Sequence, residues 1–293
     1  MINMSNLYGR RDAMRIITDS AADFTQAELE QYRSCCVRTQ VMLGQDAYTP
    51  GIDLTDDLFW EKVLSGFPCK TSQPSPDSFL QAFEDACANG EEVVYIGISS
   101  SLSGTVQSAL IARAMTDAKR IHIIDSLTGA AAQKLLVLHA CHLRDEIIPT
   151  AREMVQALEK LRSRIRLFAG VDSLDNLVRS GRLPKVAGHI GNLTHLKPLL
   201  HVTPDGLIAI SGTTFGRPRA IDALARRIAH LKIDTRFPVI PFFSHTQNNC
   251  QSLIKKLTAL GIQVREDLLS ALGPAIAGHI GPGAYGAAFV EAE

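Results

Sequence analysis

The sequence predicts an α/β protein of two domains, with a parallel sheet in the first domain and an α+β arrangement in the second. Three observations support this prediction. Residues 93–98 and 121–124 are apolar without alternation, which is typical of strands buried on both faces of a parallel sheet. Segments with helical periodicity separate these strands, as in α/β folds. Beyond residue 164, the turn sequence at 203–206 (TPDG) lies between two short apolar runs and indicates a hairpin.

This change in pattern places a domain boundary near residue 163. The chain has 293 residues, which exceeds the usual size of a single domain. We therefore expect an α/β domain at 14–163 and an α+β domain at 164–293.

Local signals define most elements of the first domain. Thr25 with Glu28 and Thr150 with Glu153 form capping-box patterns, and Pro76 suits the first turn of a helix. In chain order we predict a strand at 14–18, a helix at 25–32, a strand at 37–43, a helix at 55–64, a polar loop at 70–76, a helix at 76–88, a strand at 93–98, a serine-rich loop at 99–105, a helix to about 114, a strand at 121–124 and helices at 130–143 and 150–161.

The second domain mixes short strands with helices. We predict strands at 166–171, 199–202, 207–210, 238–244 and 284–290, and helices at 174–180, 218–231 and 252–260. No regular element is predicted at the start of the glycine-rich stretch that follows Gly273.

Composition excludes several classes of protein. Basic and acidic residues both number 30, so the net charge is zero and no surface for nucleic acid is indicated. No apolar run approaches the roughly 18 residues of a membrane helix.

The six cysteines are scattered without a CxxC pattern, which favours a reducing compartment. The first 13 residues are polar and lack a signal-peptide core, so we expect a loose extension there and a cytoplasmic location.

Three patterns suggest chemistry but have simpler interpretations. Residues 281–286 match the GxGxxG pattern, yet only seven residues follow, so a tight turn under a ligand is favoured over a dinucleotide site. Asp19, Asp125 and Asp172 each precede a serine at a strand end, and paired aspartates there could hold a metal. Capping of the following helix is the favoured interpretation. None of the nine histidines has the spacing of a metal site.

Two polar loops indicate an anion site. Residues 70–74 and 99–105 each precede a helix, where hydroxyl groups, free N–H groups and the positive end of the helix dipole suit an anion. Apolar residues dominate nearby and no phosphate-loop lysine is present, so the carboxylate of an apolar molecule fits this pattern.

Five motifs together resemble the DegV family. They are residues 17–23 (ITDSAAD), 71–76 (TSQPSP), 98–105 (ISSSLSGT), 180–183 (SGRL) and 279–284 (HIGPGA). The resemblance covers about residues 14–290. It implies a bacterial two-domain protein that binds a long-chain fatty acid, such as a C16–C18 acid, between its domains. In some bacteria such a protein presents the acid to a separate fatty-acid kinase for phospholipid synthesis.

The resemblance also implies roles for four residues. Thr71 and Ser103 would hydrogen-bond the carboxylate, His279 would lie near the head group, and Arg182 would act near the head group or on the partner surface. It implies a lipid carrier without catalysis, cofactor or metal. The alternatives are a hydrolase, using 99–103 with His279 or a metal on Asp19 and Asp125, and a sensor of lipid occupancy.

The sequence departs from the family pattern at three places. Ile280 stands where many relatives have Thr, 183–184 (LP) follow where Ile-Ser is common, and 211–219 are only loosely similar. These differences bear on the partner surface and pocket details more than on the head-group site.

Overall fold

The computed structural model describes residues 14–147, 150–184 and 195–293. The loose extension predicted for the first 13 residues lies outside the described residues. The strands are β1 Met14–Asp19, β2 Ser34–Val37, β3 Gln40–Leu43, β4 Asp46–Tyr48, β5 Cys69–Ser72, β6 Glu92–Gly97, β7 Ile121–Asp125, β8 Ile165–Gly170, β9 Leu196–Val202, β10 Ile208–Phe215, β11 Ile240–Phe243, β12 Ser270–Ala271 and β13 Tyr285–Val290.

The α-helices follow the predicted order, with one addition near the end of the chain. They are α1 Gln26–Gln31, α2 Asp56–Leu64, α3 Pro76–Ala88, α4 Thr105–Ala114, α5 Ala130–His142, α6 Ala151–Arg162, α7 Asp175–Arg179, α8 Arg217–Ala229, α9 Asn248–Ala259 and α10 Pro274–Ile280. Short 3-10 helices lie at Ser20–Ala22 and Glu266–Leu268, and a π-helical turn lies at Leu143–Ile147.

The fold is mixed α/β, and its first sheet is parallel as predicted. Its strand order is β2-β1-β6-β7, and every neighbouring pair runs parallel. Strand β6 lies in the middle and is almost wholly buried, which explains its apolar sequence without alternation. Both capping boxes are formed, at Thr25 for α1 and at Thr150 for α6.

A second sheet has six strands in the order β10-β9-β8-β13-β11-β12. Its pairs are antiparallel except for β11 with β12. The predicted hairpin at 203–206 is confirmed, and its strands are longer than predicted. Helix α5 contacts both this sheet and the parallel one, and one cluster of buried apolar residues includes members from both.

A small third sheet corrects two predictions. Residues 37–43 do not form one strand, because β2 belongs to the parallel sheet while β3 pairs antiparallel with β4 and β5. Likewise, 70–76 are not all loop, since β5 forms the start of this segment. Backbone pairing with β3 stabilises the polar strand β5. The local sequence of β5 does not indicate this pairing.

The tip of the β9–β10 hairpin rests on the serine-rich loop of the first half of the chain. Ser99 Oγ donates to Gly206 O at 2.9 Å, and Ser101 Oγ donates to Asp205 O at 2.8 Å. Gly206 has φ +77°, and a Cβ atom there would overlap Ser99 Oγ and lie 3.1 Å from the Leu127 backbone. The contact therefore requires glycine at this position.

We predict that Gly206→Ala destabilises the protein more than Gly261→Ala does. Both glycines have positive φ, so each substitution carries the roughly 1–2 kcal/mol cost of left-handed backbone. Nothing lies within 4 Å of a Cβ at Gly261, whereas Gly206 adds a clash with Ser99 and Leu127. Chemical denaturation of the two variants measures the difference. Equal losses of unfolding free energy would contradict this packing.

Candidate ligand-binding site

All four residues implied by the sequence resemblance line one cavity of about 160 Å³. Thr71 comes from β5, Ser103 from the loop before α4, Arg182 from the turn after α7 and His279 from α10. The structure therefore brings together side chains from four separate segments of the chain.

Helix α10 was not predicted, and it supplies one wall of the cavity. Ala275, Ile276, His279 and Ile280 all lie on this helix and line the cavity. The helix packs against β5, α7 and α2. It has only seven residues, among them one proline and one glycine, so its stability comes from these contacts rather than from intrinsic helix propensity.

Thr71 and His279 contact each other directly. Thr71 Oγ1 and His279 Nε2 are 2.7 Å apart, and the other ring nitrogen, Nδ1, is buried without a hydrogen-bond partner among the described residues. Burial, together with the nearby charge of Arg182, lowers the pKa of His279 to about 4. The imidazole is therefore neutral near pH 7 and carries a single N–H.

Arg182 is the one formally charged side chain among the described residues that line the cavity. Its guanidinium donates to Leu102 O at 3.2 Å and to Ser180 O at 2.5 Å. These backbone acceptors hold the cation in place without neutralising it. The described lining residues thus give the cavity a positive charge and no carboxylate.

The N-terminus of α4 lies at the same cavity. Its N-cap is Gly104, which offers no side-chain cap, and Ser103 Oγ lies 2.8 Å from Thr105 Oγ1. The first turn of a helix has N–H groups without intrahelical acceptors and a partial positive charge. This geometry agrees with the anion site predicted from the serine-rich loop.

Three further polar residues line the cavity: Gln73 and Thr105, which lie in the two loops predicted to bind an anion but were not singled out, and Thr39, which was not predicted. Gln73 and Thr105 lie within recognised motifs, but nothing local distinguishes them from capping or loop residues. Thr39 lies outside every motif, between β2 and β3, and only the tertiary fold brings it to the cavity.

The geometry of a serine hydrolase is not formed. Ser99 and Ser101 donate to the backbone of the hairpin tip, and Ser103 pairs with Thr105. The ring of His279 contacts Thr71, and no carboxylate of the described residues orients it. In hydrolases of the Ser-His-Asp type, the nucleophile, the base and an orienting acid lie within hydrogen-bond reach of one another.

The carboxylates of Asp19 and Asp125 accept hydrogen bonds from neighbouring groups of the protein. Asp19 accepts from Ala21 N at 2.9 Å, which confirms its capping role, and also from Ile98 N and Tyr95 OH. Asp125 accepts from Leu127 N at 2.9 Å. The described part of the chain contains no group of three or more His, Cys, Asp or Glu residues placed to hold a metal ion.

The glycine-rich stretch at 281–286 begins with a tight turn, as predicted, and leads into β13, but it does not line the cavity. Gly281 and Gly283 have φ near +80°, and Gly281 ends helix α10. Ile280, just before this turn, contributes the last apolar side chain of the α10 wall.

A family model described as "Uncharacterised protein, DegV family" matches residues 13–292. The chain belongs to the DegV family. A DegV domain-containing protein of Caldanaerobacter subterraneus is 29% identical over 286 residues, which cover 96% of this chain and 99% of that relative. The resemblance inferred from the five motifs is therefore confirmed.

Solved DegV structures share the fold. One that describes fatty-acid binding by a DegV family protein from Thermus thermophilus matches with a TM-score of 0.85 and 28% identity, covering 96% of this chain and 100% of the other. A stearic-acid-binding protein from Eubacterium ventriosum matches with a TM-score of 0.85 and 25% identity, covering 94% and 97%. DegV of Bacillus subtilis, named as a fatty-acid-binding protein, matches with a TM-score of 0.81 and 25% identity, covering 96% and 99%.

All three of these structures are named for fatty-acid binding. No helix in the described part of this DegV chain is long and apolar enough to cross a membrane.

We predict that His279→Gln reduces the loss of stability on acidification. The pKa of His279 is about 4 in the folded protein and near 6.5 in the unfolded chain. Between these values the unfolded chain binds more protons, so the free energy of unfolding falls as pH decreases from about 6.5 towards 4. Urea titrations of delipidated protein at several pH values measure this slope.

His230→Gln is the matched control, because His230 is exposed at the end of α8. This control should keep the slope of the parent protein. An unchanged slope in the His279→Gln variant would show that His279 is not held neutral by burial.

Proposed function

We propose that this protein binds a long-chain fatty acid, with the carboxylate at Thr71, Ser103, His279 and the N-terminus of α4. The observation that carries the proposal is the cavity itself, which combines hydroxyl groups, a helix N-terminus and one cation, Arg182, that forms no ion pair within the described part of the chain. Such a set of donors fits one anion. The fatty acids named in related DegV structures are ligands of this chemistry.

Because His279 is neutral, it can help Thr71 to hydrogen-bond the ligand carboxylate. When His279 Nε2–H donates to Thr71 Oγ1, the threonine hydroxyl is free to donate its own proton to a carboxylate oxygen. The histidine thus orients the hydroxyl. A buried carboxylate must be paired in this way, because an unpaired one is costly.

The tail of the acid would lie against an apolar wall. This wall is formed by Ala21, Ile98, Leu102, Leu177, Ile208, Ala275, Ile276 and Ile280. Burial of a C16 chain contributes about 0.8 kcal/mol per methylene, or about 11 kcal/mol before association costs are subtracted.

The cavity of about 160 Å³ is smaller than the roughly 300–1,000 Å³ of most ligand pockets. We infer that it takes the head group and first carbons, and that the wall side chains move apart for the rest.

We further propose that the protein presents the bound carboxylate to a partner fatty-acid kinase. This step follows from the family resemblance and from the position of the head-group end. Gln73, which lines the cavity, is itself exposed to solvent, so the polar end lies near the surface. Arg182 lies on the same rim and is the candidate contact for the partner.

The first test concerns the head group. A hydrogen bond to a charged group contributes about 1.5–3 kcal/mol, so Thr71→Val and Ser103→Ala should each weaken binding of a C16 acid by roughly 10- to 150-fold. Both hydroxyls serve one carboxylate, so the double variant should be non-additive. Calorimetric titration of delipidated proteins measures these affinities.

Ser101→Ala is the matched control, because its hydroxyl lies in the same loop but bonds Asp205 O and does not line the cavity. It should bind as the parent does. If Thr71→Val and Ser103→Ala both bind the C16 acid as tightly as the parent, the carboxylate lies elsewhere. A parent that binds neither C12 nor C16 acid would refute the fatty-acid proposal.

The second test concerns the partner. Arg182→Ala should reduce acyl-phosphate formation in a reconstituted assay with a fatty-acid kinase, while the thermal midpoint changes little. Arg226→Ala, at an exposed position of α8, is the control and should support phosphorylation at the parent rate. Equal rates for parent and Arg182→Ala at every carrier concentration would remove Arg182 from this role.

A further inference from the structure

The side chain of Gln73 lies across the first turn of α4. Its Nε2 donates to Ser108 Oγ at 2.9 Å, and Ser108 is buried within that helix. A Cβ atom on Gly104 would overlap Gln73 Oε1, so the amide packs directly on the glycine that begins the helix. The N-cap residue of α4 and a residue inside that helix therefore fix the amide at this position.

This amide is neutral, which matters at a helix N-terminus. The first turn of a helix stabilises a negative charge, and acidic residues are favoured there. Helix α4 has no acidic residue in its first turn and no side-chain cap. Thr105 N donates to Ser103 Oγ at 3.4 Å, but no residue of the first turn supplies a negative charge, so the partial positive charge is available to a ligand in the cavity.

We propose that Gln73 determines the specificity of the cavity for an anionic head group over a neutral one. This inference rests on the proposed function, because it takes the ligand carboxylate to lie at the α4 N-terminus. With a neutral residue at position 73, the negative charge that pairs with the α4 N-terminus comes from the ligand. An acidic residue there would supply that charge itself and repel a carboxylate.

The test compares an acid with an alcohol of the same length. Dodecanoate and 1-dodecanol are titrated into delipidated parent and Gln73→Glu proteins at physiological salt. The parent should prefer the acid. In Gln73→Glu this preference should fall at least fivefold. Repulsion between two negative charges about 4 Å apart weakens binding by about this factor even in bulk water. The thermal midpoint of the ligand-free variant should equal or exceed that of the parent, because glutamate suits a helix N-terminus.

Two control variants separate charge from packing. Gln107→Glu adds the same charge to the first turn of α4, but Gln107 is exposed and does not line the cavity. Its acid-to-alcohol preference should fall less than that of Gln73→Glu, because its carboxylate lies outside the cavity. Gln73→Met removes the bond to Ser108 without adding charge, and it should change the affinities for acid and alcohol alike.

Four outcomes would overturn the inference. An unchanged preference in Gln73→Glu, with a parent that binds dodecanoate, would remove Gln73 from specificity and leave the fatty-acid proposal intact. An equal loss of preference in Gln73→Met would assign the effect to packing, and an equal loss in Gln107→Glu would assign it to long-range charge. A parent that binds neither ligand would refute the proposed function together with the role of Gln73.

Discussion

The buried carboxylate of Asp19 holds together the loops that surround the cavity. It accepts hydrogen bonds from Ala21 N, Ile98 N, Tyr95 OH and Gln133 Nε2 at 2.7–3.2 Å, and so joins the ends of β1 and β6 to helix α5. Burial raises the pKa of Asp19, and the donated hydrogen bonds oppose that effect. Because Ala21 and Ile98 both line the cavity, these bonds also set the position of its apolar wall.

The cavity lies where the parallel sheet, the small sheet and helix α10 meet, which explains its mixed chemistry. The loop before α4 supplies polar donors because a parallel strand ends there and a helix begins. Helix α10 supplies both His279 and apolar side chains, because successive turns face the same cavity. Among the described lining residues a single cation, Arg182, supplies charge without an ion pair, so the proposed anionic ligand would not compete with a carboxylate of these residues.

Much of the fold could be predicted from local signals, whereas the site depended on contacts that such signals do not encode. The capping box at Thr25, the proline that begins α3 and the apolar run of β6 are local, and each was confirmed. Strand β5 and helix α10 were missed because tertiary partners stabilise them against weak intrinsic propensity. The anion site before α4 was inferred from hydroxyl groups and a helix start, but the roles of Thr71 and His279 came only from the family motifs, since 208 positions separate the pair.

The central claim is that this cavity takes a fatty acid, and the most direct measurement is mass spectrometry of the purified protein. Native spectra would give the mass of any bound molecule, and organic extraction would identify it. The account predicts one C14 to C18 acid per chain, released on extraction. A protein that carries no such acid, and that gains no mass when incubated with palmitate, would contradict the account.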